Sequence, residues 1–243
     1  MKRLASKTAL VTGGAQGLGA SHAARLVSEG AHVVVADVLE TEGRAAAAQF
    51  GPAASYVCLD VTSEQSWAEA LEEVVEKRGG VDILVNNAGV IVRTGIETTS
   101  VDDFMLQLRV NLLGTFIGMR TVLPTMRRQR GGSIVNISST AGLIGFPHQA
   151  GYVASKWGVR GITKSAAVEL GGTGIRVNSV HPGPVRTPMT TGLGAENAAR
   201  QPIARVAEPE EVSALVAFLA SDESSYCTGA EFTVDGGRTV QLV

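Results

Sequence analysis

The chain predicts a single α/β domain spanning residues 1–243: a doubly wound, parallel, seven-stranded sheet with helices on both faces. Three observations carry that expectation. Short apolar runs alternate with longer amphipathic stretches from one end to the other, as in repeated strand–helix–strand units. The runs are apolar at consecutive positions, as in Val33-Val34-Val35, which suits strands buried on both faces. Gly13, Asp37, Asp60, Asn87, Ser139 and Pro182 all fall at the carboxyl ends of these runs, where open sheets bind ligands.

The first run, residues 8–12, leads through a glycine-rich turn into a helix over 18–29 closed by Gly30. A second strand begins at His32 and ends at Ala36, with Asp37 behind it. The third, 55–59, stops at Asp60, and Thr62-Ser63-Glu64-Gln65 has the spacing of a reciprocal helix cap. The fourth, 81–85, runs into Asn86-Asn87-Ala88-Gly89. A long helix is expected over 101–128, carrying Asn111 and kinked or shortened at Pro124. Strand five covers 133–137, and a helix from about Tyr152 to Leu170 follows it. Strands at 175–180 and 231–234 complete the sheet. The four alanines at 45–48 read as a helix-favouring run, not as a low-complexity linker.

Composition narrows the function classes. A hydrophobic fraction of 44% and a charged fraction of 18% belong to a globular protein with a sizeable core. The net charge of −2 gives no long-range pull towards nucleic acid or an anionic membrane. The densest basic run, Arg127-Arg128-Gln129-Arg130, closes a helix, where cations suit the dipole. No segment approaches the ~20 apolar residues of a membrane span, and the apolar stretch after Met1-Lys2-Arg3 is too short for a signal peptide. Cys58 and Cys227 lack metal-ligand spacing, and their strand-like contexts predict buried, unpaired thiols. A soluble, cytoplasmic protein without a metal is expected.

Two motifs carry chemistry. In Thr8-Ala9-Leu10-Val11-Thr12-Gly13-Gly14-Ala15-Gln16-Gly17-Leu18-Gly19 an apolar strand enters a glycine turn that opens a helix, so backbone N–H groups can approach a pyrophosphate. The spacing is G-x-x-x-G-x-G, not the commoner G-x-G-x-x-G. Further on, Tyr152 and Lys156 are one helical turn apart on the same face. A phenol titrates near pH ~10, and a neighbouring ammonium lowers that value towards the working range of a general base. Ser139, thirteen residues before Tyr152, supplies a hydroxyl for the oxygen of an alcohol or ketone.

Taken together, Gly13 to Gly19, Asn86-Asn87-Ala88-Gly89, Asn111, Ser139, Tyr152-x-x-x-Lys156 and His181-Pro182-Gly183 resemble the classical short-chain dehydrogenase/reductase family, over nearly the whole chain. Within it, Ser138-Ser139, the segment from Tyr152 to Gly161 and that from Arg176 to Gly183 are most similar to bacterial 3α(or 20β)-hydroxysteroid dehydrogenases. The resemblance implies a Rossmann-type fold and a Tyr-Lys-Ser-Asn proton relay. In that relay Tyr152 is the base, Lys156 lowers its pKa and meets the nicotinamide ribose, and Ser139 polarises the substrate oxygen. Asn111 holds a water linking Lys156 to solvent, and Ser138 is structural. The cofactor contacts it implies are Gly13, Gln16, Gly17, Leu18, Gly19, Asp37, Val38, Asp60, Val61, Asn87, Ala88, Gly89, Val110, Pro182, Gly183, Val185 and Thr187, beside Tyr152 and Lys156. The backbone of Val185 and the hydroxyl of Thr187 are placed to hold the carboxamide.

Asp37 decides the cofactor expectation. A carboxylate at the end of the second strand accepts hydrogen bonds from both adenosine-ribose hydroxyls and repels a 2′-phosphate, so NAD(H) is expected. Apolar walls from Val90, Ile91, Leu143, Ile144, Phe146, Met189 and Leu193 point to a bulky or cyclic ketone or secondary alcohol, with hydroxysteroids as candidates. His148 and Gln149 are candidate polar selectors, and Arg93 could meet an acidic substrate. Residues 188–205 read as a mobile lid that is short beside steroid-active relatives. A 3-oxoacyl-thioester reductase is the alternative enzyme, which Asp37 disfavours because that activity usually takes NADPH. A catalytically idle NAD(H)-binding regulator is the alternative outside catalysis, disfavoured because all four relay residues are present. The apolar outer faces of the helices at 101–128 and 152–170, with Phe232 and Val234, suggest self-association, and the family resemblance implies a homotetramer.

Overall fold

The computed structural model describes residues 2–191, 198 and 201–240. In chain order the main elements are β1 (Thr8–Thr12), α1 (Gly17–Ser28), β2 (His32–Asp37), α2 (Glu40–Ala48), β3 (Ala54–Cys58) and α3 (Glu64–Arg78). They continue with β4 (Ile83–Asn86), α4 (Val101–Gln107), a π-helical turn (Leu108–Leu113), α5 (Gly114–Arg128), β5 (Gly132–Ile137) and α6 (Ala150–Leu170), then β6 (Ile175–Pro182), α7 (Pro209–Ala220) and β7 (Glu231–Val234). The seven strands form one sheet in the order β3-β2-β1-β4-β5-β6-β7, and every pairing is parallel. This is the Rossmann-type doubly wound sheet that the alternating pattern predicts.

The two-residue period of a strand explains why the runs are apolar throughout. Ala9, Val11, Val33, Val35, Ile83 and Val85 face one side and pack with Ala23 and Leu26 of α1, Ala47 of α2 and Val212 and Val216 of α7. Leu10, Val34, Leu84 and Ile134 face the other, against Trp67 and Val74 of α3, Ile117 and Met126 of α5 and Leu170 of α6. A polar residue in the middle of these strands would lie in one core or the other.

Several elements depart from the sequence reading. The long helix over 101–128 is three segments, and Pro124 lies inside α5, which runs on to Arg128. The irregularity falls instead at the π-helical turn holding Asn111, where the Asn111 amide is tied to the Val90 backbone. The α3 cap is one residue later than expected. Asp60 Oδ1 accepts both the N–H and the hydroxyl of Thr62, leaving Ser63 Oγ to accept the Ser66 N–H at 3.2 Å. Cys58 is exposed and Cys227 partly exposed, both free, so neither is the buried thiol expected. Cys58 ends an edge strand and turns its side chain outward. Helix α7 has no counterpart in the sequence reading, although Pro209 at its first turn is a start signal.

One core contact carries a prediction. His22 of α1 is fully buried against Ser213 of α7, with Nδ1 2.8 Å from the hydroxyl and Nε2 without a partner among the described residues. Burial lowers its pKa from 6.5 to about 3. The unfolded chain therefore binds a proton that the folded chain refuses between those values. Stability is complete above pH 6.5 and is lost as the pH falls towards 3, by an amount on the order of 4 kcal/mol. His22→Gln is expected to flatten this part of the pH dependence of urea unfolding; an unchanged slope would show that other groups set it.

Candidate active site

The six strand-end residues singled out in the sequence, Gly13, Asp37, Asp60, Asn87, Ser139 and Pro182, all line one cleft of about 960 Å³ at the carboxyl edge of the sheet. Parallel pairing forces this, because every strand delivers its carboxyl end to the same edge.

The glycine turn forms one end of the cleft. Gly17 has a φ of 57°, in the left-handed region that glycine enters without penalty. Gly19 is a glycine for a different reason: a Cβ there would lie 2.0 Å from the Gly13 carbonyl oxygen. Gly19 therefore packs behind the turn and does not line the cleft, whereas Gln16, Gly17 and Leu18 do. Thr12 and Asn87 hold the turn against β4. The Thr12 hydroxyl accepts the N–H groups of Asn87 and Ala88, both at 3.0 Å, and the Asn87 amide donates to the Thr12 and Gly13 carbonyls.

Asp37 and Asp60 end this half. Asp37 Oδ2 accepts the Ala15 N–H at 3.0 Å and Oδ1 the Leu39 N–H at 3.1 Å, so the carboxylate is fixed in orientation before any ligand arrives. Asp60 Oδ1 is occupied by Thr62, and Oδ2 has no hydrogen bond among the described residues. Val38, Val61, Ala88, Gly89 and Val110 complete the wall.

At the other end stand Tyr152 and Lys156, one turn apart on α6, with Lys156 Nζ 5.5 Å from the centre of the tyrosine ring. Three buried connections fix this helix. The Asn86 amide donates to Asn136 Oδ1 and the Asn136 amide to Thr163 Oγ1, each at 2.9 Å, joining β4 and β5 to α6. The Ser138 hydroxyl donates to the Lys156 carbonyl at 3.1 Å, a structural role. Lys156 Nζ donates to the Ile137 carbonyl at 2.9 Å. Burial lowers the Lys156 pKa from 10.5 to about 8, leaving it mostly charged at neutral pH.

The Tyr152 phenol moves against the sequence expectation. Burial raises its pKa above the ordinary value; the hydrogen bond with Ser139 and the charge of Arg93 act in the opposite direction without overcoming it. The phenol of the protein alone is thus a proton donor at neutral pH. Ser139 Oγ accepts the Ala141 N–H at 3.1 Å, which turns its own O–H away from that turn.

Asn111 lies on the π-helical turn between α4 and α5. It is buried behind Lys156 and does not line the cleft. Its Oδ1 accepts the Val90 N–H at 2.8 Å, and its Nδ2 donates to the Val90 carbonyl and to Ser155 Oγ, both at 2.9 Å. With the amide engaged in this way, the side chain braces the Val90 wall against α6.

Val90, Ile91, Phe146, Gln149 and Met189 line the substrate end. Leu143, Ile144 and His148 do not. His148 has a φ of 60°; its carbonyl accepts the Thr94 N–H at 3.0 Å and its ring lies beside Gly95. Leu193 lies outside the described residues, as does part of the 188–205 segment read as a lid. Pro182, Gly183, Val185 and Thr187 all line the cleft. The Val185 carbonyl is taken by Thr190 Oγ1, and its N–H meets no acceptor among the described residues.

One residue of the site was given no role in the sequence reading. His181 is fully buried, with Nδ1 3.0 Å from the Ser139 carbonyl and Nε2 2.9 Å from Ser179 Oγ. Burial lowers its pKa, so the ring is neutral. Because a carbonyl only accepts, Nδ1 carries the proton and Ser179 donates to Nε2. His181 thereby anchors the backbone of Ser139. Its place immediately before Pro182-Gly183 was the available signal.

Comparison with known proteins agrees with this geometry. The family profile described as Enoyl-(Acyl carrier protein) reductase matches residues 13–239. The chain is 50% identical to trans-4-hydroxycyclohexanecarboxylate dehydrogenase of Sinomonas cyclohexanicum, covering 98% of this chain and 94% of that protein. It is 52% identical to 3-alpha-(or 20-beta)-hydroxysteroid dehydrogenase of Mycobacterium bovis, covering 99% and 92%. The crystal structure of gox2181 superposes with a TM-score of 0.96 at 38% identity, covering 99% of this chain and 98% of that one. The chain is an oxidoreductase and belongs to the short-chain dehydrogenase/reductase family.

Proposed function

We propose that the protein interconverts a ring-borne secondary alcohol and its ketone with NAD(H). The observation that carries this reading is the Tyr152–Lys156–Ser139 cluster, at the end of a cleft whose opposite end is a glycine turn capped by Asp37. Two relatives act, by name, on hydroxysteroids and on a hydroxylated cyclohexane, so a ring alcohol is the shared substrate class.

The residues present fit a nicotinamide dinucleotide. The turn at Gly13–Leu18 suits a pyrophosphate, Asp60 Oδ2 has acceptor capacity for the adenine, and Asp37 faces the adenosine ribose. The Val185 N–H and Thr187 hydroxyl suit the carboxamide. When bound, the cofactor supplies or accepts the hydride. In reduction Tyr152 donates its proton to the substrate oxygen while the Ser139 hydroxyl polarises that oxygen. Lys156 stabilises the phenolate left behind. In oxidation the same groups act in reverse. Asn111 and His181 hold Val90 and Ser139 in place.

The test is NADH oxidation against cyclohexanones, 3- and 20-keto steroids and acetoacetyl thioesters, with NADPH beside it. Turnover of ring ketones with NADH is expected; turnover confined to thioesters with NADPH would overturn the reading. Asp37→Ala is expected to narrow the NADH-over-NADPH ratio of kcat/KM by about tenfold or more, from the loss of charged hydrogen bonds to the ribose. An unchanged ratio would remove Asp37 from cofactor choice.

We further propose a homotetramer. Met105, Leu106, Leu113, Phe116, Trp157 and Val168 are exposed apolar side chains of the α4–α5 and α6 region. Phe232 and Val234 are half-buried, packing in part on the molecule's own core and leaving the rest of each side chain for a second contact. Among the described residues no helix is long and apolar enough to cross a membrane.

A further inference from the structure

The charges lining the cleft are separated by sign. Its carboxylates, Asp37 and Asp60, both stand at strand ends of the adenosine half. Its cations, Lys156 of the relay and Arg93, Arg186 and Arg238, stand with the other half. Arg186 is neutralised by Glu208 at 2.9 Å, and Arg238 lies over the Phe146 ring at 5.1 Å. Arg93 makes no ion pair among the described residues, and its charge is felt at the Tyr152 phenol.

The chain around Arg93 is held on both sides. The Val92 N–H donates to Gln107 Oε1 at 3.0 Å, and the Thr94 N–H donates to the His148 carbonyl at 3.0 Å. Gln107 is itself fully buried, its amide donating to the Asp103 carbonyl at 3.1 Å. Two consecutive anchors are more than a surface loop needs to display a solvated arginine. Alternation along the extended segment puts Arg93 on the same side as Ile91, another wall residue.

We propose that Arg93 is a specificity residue that receives an anionic group, a carboxylate, on the ring of the substrate. This rests on the ring-alcohol reading and deepens it: the preferred substrate is a ring ketone or alcohol bearing an acid remote from the carbinol carbon. A guanidinium presents paired donors to a carboxylate, and at a partly open mouth one such contact is worth about tenfold in kcat/KM. A carboxylate in the cleft without Arg93 would also oppose formation of the Tyr152 phenolate, so the arginine protects the relay from its own substrate.

The experiment compares 4-oxocyclohexanecarboxylate with its neutral methyl ester in the full-length enzyme and in Arg93→Gln and Arg93→Lys. The wild type is expected to prefer the acid, and Arg93→Gln to lower the acid-to-ester ratio of kcat/KM about tenfold, chiefly through KM for the acid. Arg93→Lys should restore part of that ratio, and added salt should erode it in the wild type. A merely structural role for Arg93 lowers both substrates alike and leaves the ratio unmoved, which would overturn the proposal while the ring-alcohol reading stands. Turnover of neither compound would overturn the proposal, and only a failure on keto steroids as well would overturn the ring-alcohol reading.

Discussion

Tyr152→Phe is expected to reduce turnover of any ring ketone by at least about a thousandfold while dinucleotide affinity stays within a few-fold of wild type. In the proposed reaction the phenol hydroxyl gives its proton to the substrate oxygen, and general acid–base donation of this kind contributes typically 10²–10⁴-fold. Removing one oxygen leaves the ring packed beside Lys156 at 5.5 Å and leaves the glycine turn, Asp37 and Val185 untouched. The check is single-turnover oxidation of NADH with cofactor binding followed by its fluorescence. Turnover retained within tenfold would move the proton-donating role elsewhere.

Lys156→Met is expected to abolish turnover and to stabilise the fold, two effects of opposite sign from one side chain. The fall in the lysine pKa from 10.5 to about 8 means that the charged form is held in place at a cost of roughly 3 kcal/mol. Between these two values the unfolded chain binds more protons, so the lysine's destabilisation is complete below pH 8 and relieved as pH rises towards 10.5. Methionine fills similar space without that cost, although it forfeits the hydrogen bond to the Ile137 carbonyl. A rise of a few degrees in Tm at pH 7, shrinking as the pH rises from about 8 towards 10.5, is the expected outcome. A lower Tm would mean that the hydrogen bond outweighs the buried charge. The same titration predicts that wild-type reduction declines above about pH 8, as Lys156 loses its proton.

The parts of the site that could be read in the sequence are those set by local geometry. Tyr152 and Lys156 share a face whatever surrounds the helix, and the glycine turn is defined by residues adjacent in the chain. The parts that could not be read depend on tertiary neighbours. Asn111 was recognisable by its position, yet only the fold shows its amide bonded to Val90 and Ser155. The phenol's direction of titration hinged on burial, which outweighed the hydrogen bond with Ser139 and the charge of Arg93. His148 was expected as a polar selector of the pocket, but the chain turns there and α6 starts only at Ala150. In the same way Ser63 displaced Thr62 as the cap of α3 because Asp60 captured the threonine first.

The seam between β1 and β4 bears on how such chains diversify. Strands β1 to β3 carry the glycine turn, Asp37 and Asp60, whereas β4 to β7 bring Ser139, α6 and the Arg93 wall. In the proposed reading, cofactor choice and substrate choice are encoded in consecutive halves of the gene, and a crossover between the codons for α3 and β4 would exchange one without the other. The hybrid keeps a working junction only if its parents match at the contacts that cross it: a hydroxyl at position 12 meeting an amide at position 87, and the packing of α1 on α7 with His22 against Ser213. Matching those contacts is the entry requirement for recombining this enzyme with its relatives.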